Sequence, residues 1–204
     1  MEKPLAKLFG IIIIANTLSC TTQIATIKAN SIPLSINVYK HDDDISNKQL
    51  KNIFVNINMR KIPIANSKET VGSYVKKELE KDFDIRSIKY EIVLNADNNL
   101  LRENYNNNRE YNKTMNITLV DEILGNDFYF GKNYLRGGSI LFSIINNENK
   151  REIWRGTVNI EQKYVIKSNI LPVPESSISD VVDKIISELI ADEYLKEIKL
   201  EPIP

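Results

Sequence analysis

The chain has 204 residues, with 27 basic and 27 acidic side chains and a formal net charge of zero. That balance argues against the basic footprint of a nucleic-acid-binding surface. A single cysteine and a single histidine exclude an intrachain disulfide, a cysteine-based metal site and any centre that needs two histidines.

The N-terminus begins with Lys3 and Lys7, followed by an apolar run from Leu8 to Ala15 and then Thr17-Leu18-Ser19-Cys20. A basic start, a short apolar stretch and small residues form the layout of a secretory signal. The apolar run falls short of the roughly 20 residues that a membrane-spanning helix needs. The segment resembles the lipobox of bacterial lipoproteins, in which the cysteine carries lipid and becomes the mature N-terminus. Leu18 and Ser19 fit that pattern, and Thr17 stands where Leu, Val or Ile is usual. An ordinary signal peptide cut nearby and an uncleaved anchor are the alternatives. The resemblance implies a signal peptide over residues 1–19, with lipidated Cys20 and a tether over 20–33. A single α+β periplasmic domain over 34–204 follows. Removal of Glu2, Lys3 and Lys7 with the signal leaves the remainder near −1. Thr21 is not the Asp that, in the enteric lipoprotein pattern, retains proteins at the inner membrane. The resemblance therefore implies an outer-membrane protein facing the periplasm, attached to the membrane through lipid on Cys20.

Along the domain, Ile36 and Val38 alternate with polar neighbours over Ser35–Tyr39, which predicts a first strand. His41-Asp42-Asp43-Asp44 reads as a polar loop, and Ile53–Met59 as a second strand. Asn66 with Glu69 three residues on predicts a capping box. Val71, Tyr74, Val75 and Leu79 then recur at helical spacing, with an end near Asp82. Ile88, Tyr90, Ile92 and Leu94 form the inward set of a third strand. An Asn-rich loop over Asp97–Lys113 precedes alternating Met115, Ile117 and Leu119. Ser139–Ile145 and Glu152–Tyr164 predict a hairpin joined by Asn146–Lys150, with Trp154, Gly156, Val158 and Ile160 on one face. Pro172 and Pro174 break the pattern. A last helix over Ser177–Tyr194 carries a stripe of Ile178, Val181, Val182, Ile185, Ile186, Leu189 and Ile190, with Ser177 and Asp180 as its start signal.

The order strand, strand, helix, strand, strand, hairpin, helix predicts an α+β fold. Its expected form is a single, mostly antiparallel β-sheet with two main helices packed on one face. Val71–Leu79, Trp154–Glu161 and the Ile185–Ile190 segment resemble small envelope lipoproteins of the YajG type and of the transport-auxiliary type. That resemblance implies a protein that is not an enzyme.

No spacing singles out a catalytic residue or a metal ligand, and no cofactor is expected. His41 and its aspartates lack the spacing and the glycine of a calcium loop, so they read as a solvated acidic turn. Gly131-Lys132 and Gly137-Gly138 precede a strand, whereas a phosphate loop closes into a helix; they read as turn glycines. Trp154 reads as core. Tyr105, Tyr111, Phe128, Tyr129, Phe130 and Tyr134 lie in or near irregular segments and are the candidate partner-contact residues. They either form one contact surface or pack separately over the sheet edge. These readings lead to a non-catalytic, lipid-anchored binding or assembly module of the cell envelope, with an envelope protein as partner. The alternative is a transport accessory or carrier that holds a lipid or small apolar ligand between the sheet and the last helix. A hydrolase with an unrecognised carboxylate pair is a third reading. Oligomeric state is left open.

Overall fold

The computed structural model describes residues 36–40, 48–64, 67–95, 110–127, 132–160, 165–166, 169–170 and 173–198. Their elements, in chain order, are β1 (Ile36–Lys40), β2 (Asn52–Asn58), α1 (Val71–Ile85), β3 (Lys89–Asn95), β4 (Lys113–Asp127) and β5 (Lys132–Asn146). These are followed by β6 (Glu152–Asn159), β7 (Val165–Ile166), β8 (Asn169–Ile170) and α2 (Glu175–Ala191).

β1 to β6 form one six-stranded sheet in the order β1-β6-β5-β4-β2-β3, and β7 pairs with β8 separately. The expectation of a mostly antiparallel sheet is corrected here, because the sheet is mixed. β2 runs parallel to both β3 and β4, while β4-β5, β5-β6 and β6-β1 are antiparallel. The cause lies in the connections. A helix between two strands carries the chain back along the sheet, so β2 and β3, joined through α1, run the same way. Alternation of apolar and polar residues is the same in either direction and does not report it. β2, with a parallel neighbour on each side, is buried over five successive residues, Ile53 to Ile57. On its second face Phe54 packs against Tyr111, and Asn56 bonds to Asn95 and Asn116.

Register places Ile53, Val55 and Ile57 of β2 beside Met115 and Ile117 of β4, Phe142 of β5 and Gly156 of β6 on one face. α1 and α2 lie on this face. α1 buries Val71, Val75, Leu79 and Phe83. α2 buries Ile178, Val181, Val182, Ile185, Ile186 and Leu189, six of the seven stripe residues, with Ile190 partly buried against the same core. The other face is polar. There Asn56 donates to Asn116 (3.3 Å) and accepts from Asn95, and both Asn56 and Asn95 are buried. Buried amides tolerate this position because each finds a partner.

Helix ends differ from the sequence expectation. α1 is capped by Thr70, whose hydroxyl accepts from the Ser73 N–H while Ser73 Oγ accepts from the Thr70 N–H. The capping box thus sits four residues beyond Asn66, which lies outside the described residues, and the helix continues to Ile85. α2 starts at Glu175 after Pro174, with no side-chain cap. Ser177 lies inside the helix and is fully buried, not at its N-terminus. β6 ends at Asn159, earlier than the expected Tyr164.

Candidate functional site: the β4–β5 arm

β4 and β5 each run for 15 residues, against 7 in β2 and 8 in β6. β2 leaves β4 after the Asn58–Thr118 pair, and β6 leaves β5 at the Asn159–Ser139 pair. From Leu119 onward the two long strands pair with each other through to Asp127 and Lys132. β6 still flanks β5 at the Leu119–Ile140 and Val120–Ser139 pairs, so the two-stranded arm runs from beyond Val120 to Asp127, seven steps at about 3.3 Å each, or roughly 23 Å. Among the described residues, no strand pairs with the β4 edge beyond Thr118, so that stretch can accept another strand.

Two register shifts shape the arm. Between the Val120–Ser139 and Ile123–Gly137 pairs, Asp121 and Glu122 face Gly138 alone. Asp121 has φ of 51° and Gly138 a φ of 148°. A Cβ on Gly138 would sit 3.2 Å from the Asp121 and Val120 carbonyl oxygens. Gly138 therefore lies opposite a bulge in β4, and Gly137-Gly138 sits within β5 and not in the turn expected from sequence. The next shift leaves Arg136 as the extra residue on β5, before Leu124 pairs with Leu135.

The bulges turn Ile123 (46% exposed) and Leu124 (39% exposed) toward solvent. On β5, the Arg136 guanidinium lies 5.4 Å from the Tyr134 ring centroid, and its Nη2 donates to the Tyr134 hydroxyl at 3.0 Å. Leu135 is fully buried, and its carbonyl accepts from the Val173 N–H. That contact roots the arm on the helical face. Arg60 pairs with Glu122 at 3.0 Å across the base.

Of the candidate partner-contact residues, Tyr134 is on this arm and half-buried. Tyr111 is buried, tilted against Phe54 at 6.0 Å with Lys89 Nζ 5.7 Å from its ring centroid. Burial, and then Glu91, push its hydroxyl above the ordinary tyrosine range. It belongs to the polar face and is not brought together with Tyr134. Tyr105, Phe128, Tyr129, Phe130 and Cys20 lie outside the described residues, as do His41–Asp44. Trp154 is fully buried, and its Nε1 donates to Asp192 Oδ2 at 2.9 Å. Ile123, Leu124 and Arg136 were not singled out by sequence reasoning. The adjacent apolar pair Ile123-Leu124, which breaks the alternation of Met115, Ile117 and Leu119, was the available signal.

The space between the sheet and α2, where an apolar ligand would sit, is taken up by Trp154, Phe142, Ile185 and Leu189, all fully buried. Among the described residues, no three His, Cys, Asp or Glu side chains converge as a metal site needs. No helix among them is long and apolar enough to cross a membrane.

No family model and no curated protein matches the chain. Solved structures similar to it include the PelC dodecamer from Paraburkholderia phytofirmans. It is 12% identical, with 77% of this chain and 97% of that one covered and a TM-score of 0.44. Lipoprotein GNA1162 from Neisseria meningitidis is 10% identical, with 69% and 99% covered and a TM-score of 0.36. Protein XCC0632 from Xanthomonas campestris is 9% identical, with 77% and 91% covered and a TM-score of 0.38. Likenesses at this distance carry no functional argument.

Proposed function

We propose that this chain is a non-catalytic, lipid-anchored module of the bacterial cell envelope that docks an envelope protein through the β4–β5 arm. The anchor is Cys20 at the end of a lipobox-like signal, and the proposed side is the periplasmic face of the outer membrane. The YajG-type resemblance belongs to this reading. The observation that carries it is the arm itself, where exposed Ile123 and Leu124 lie on a strand whose edge is open among the described residues, beside a stacked Tyr134–Arg136 pair. An open edge pairs with an extended segment through main-chain hydrogen bonds, and side chains on alternate positions supply specificity. Tyr and Arg are the residue types that most often dominate interface energetics. The fitting partner segment is an extended strand with aliphatic residues facing Ile123 and Leu124.

A photo-crosslinking residue at Ile123, expressed in the native host, tests this. The expected result is one discrete adduct that disappears when Leu124→Ser is added, with the thermal melt unchanged. Exposed substitutions of this kind usually change stability by less than about 0.5 kcal/mol. An equal adduct from a control position at Lys61, or none from Ile123, would refute the arm as the docking surface.

A further inference from the structure

A second feature lies at the end of the sheet where β2 begins. A cavity of about 300 Å³ opens between the entry to β2, the exit of α1 and the segment after α2. Leu50, Ile88 and Leu195, all buried, supply its apolar floor. Each of the three segments also contributes one cation: Lys51, Arg86 and Lys196. None of the lining residues is acidic.

Arg86 is held in place. Its Nε donates to Asp82 Oδ2 at 2.8 Å, its Nη1 donates to the Lys196 carbonyl, and its side chain is only 10% exposed. Asp82 offsets the Arg86 charge. Lys51 and Lys196 have no ion-pair partner among the described residues and leave two positive charges at the mouth. The negative end of the α1 dipole is capped, because the N–H groups of Arg86, Ser87 and Ile88 take the carbonyls of Asp82, Asp84 and Phe83. Ser87, on the wall between Arg86 and Ile88, has φ of 55°, the left-handed region that favours glycine. Strain of that kind tends to occur at binding sites.

We infer that this cavity binds a phosphate monoester group, with Lys51 and Lys196 neutralising its charge and Arg86 presenting its remaining guanidinium N–H groups. Two positive charges match the roughly −1.5 to −2 carried by a monoester at neutral pH. The planar guanidinium suits phosphate oxygens, and the volume is at the lower end for small-molecule sites. The apolar floor would cover a short carbon substituent. The group is that of a small soluble ester or of a lipid headgroup.

The test uses the full chain in neutral detergent micelles, with ³¹P NMR of sn-glycerol 3-phosphate and, separately, of dihexanoyl phosphatidate. A saturable shift with either probe, weakened on the order of tenfold or more in K51Q/K196Q, supports the site. Response to glycerol phosphate assigns a soluble ester, and response to phosphatidate alone assigns a headgroup. The control K61Q/K68Q removes two other lysines and should leave binding unchanged. Arg86 is left intact because its bonds to Asp82 and Lys196 also hold the fold. No saturable shift with either probe overturns the inference. So does unaltered binding in K51Q/K196Q, or an equal loss in the control pair.

Discussion

At the scale of single residues, Gly156 and Trp154 are interdependent. A Cβ on Gly156 would fall 2.4 Å from Cη2 of Trp154, so the indole lies directly over the glycine. Gly156→Ala should displace the ring, break its bond to Asp192, and cost about 1–3 kcal/mol as overpacking does. Denaturant unfolding followed by Trp fluorescence checks this, and an unchanged native spectrum would show that the ring is not held there. Tyr90 supplies a pH-dependent contact. Its hydroxyl donates to Asp84 Oδ1 at 2.8 Å. That bond, with desolvation and the Asp84 charge, pushes its pKa up from 10.0 to about 12. The neutral phenol is therefore favoured in the fold. Its contribution is fully present below pH 10 and is lost as pH rises from 10 to about 12. Tyr90→Phe should flatten the fall in stability across that window relative to the parent, measured by thermal melts at stepped pH.

At the scale of elements, α2 is a core element. Leu189 is fully buried, and the chain turns back beneath it, with the N–H groups of Tyr194 and Leu195 both bonded to the Leu189 carbonyl. Leu189→Ala should cost about 2–5 kcal/mol. An unchanged melt, with loss of a crosslinked partner, would instead make this helix an interface. The regular stripe made burial of α2 legible from sequence, since a 3.6-residue period places those positions on one side. Its start was less legible. Pro174 begins the helix without a side-chain cap, and Ser177, a good capping residue, is inside it. In α1 the expected cap was Asn66, whereas the reciprocal bonds of Thr70 and Ser73 start the helix four residues later. The arm was hidden for a different reason. Strand length reads as alternation, and the two bulges interrupt alternation at Asp121–Leu124 and Arg136–Gly138.

At the scale of the whole molecule, the proposed anchor and the proposed docking arm divide the work between two parts of the chain. Cys20→Ser should move the protein from the membrane fraction to the soluble periplasmic fraction without changing its melt. Several acyl chains hold a protein on a membrane where one alone binds marginally. Intact mass of the parent chain gives the number of acyl chains. An unmodified N-terminus at another residue would remove the anchor.

Sequence alone determined what depends on local order. The lipobox-like layout, the helical stripe of α2, and the shared face of Trp154, Gly156, Val158 and Ile160 were all readable, because each is a periodicity or a short motif. An α+β composition followed from them. Tertiary structure decided the direction of the strands, since β2 runs parallel to both β3 and β4 and side-chain alternation is the same in either direction. It decided that Tyr111 is buried on the polar face while Ile123 and Leu124 are exposed, because bulges and the lengths of neighbouring strands set exposure there. It also brought Lys51, Arg86 and Lys196 together. They are far apart in sequence, and they meet only because β2 starts, α1 ends and the chain leaves α2 at the same end of the sheet.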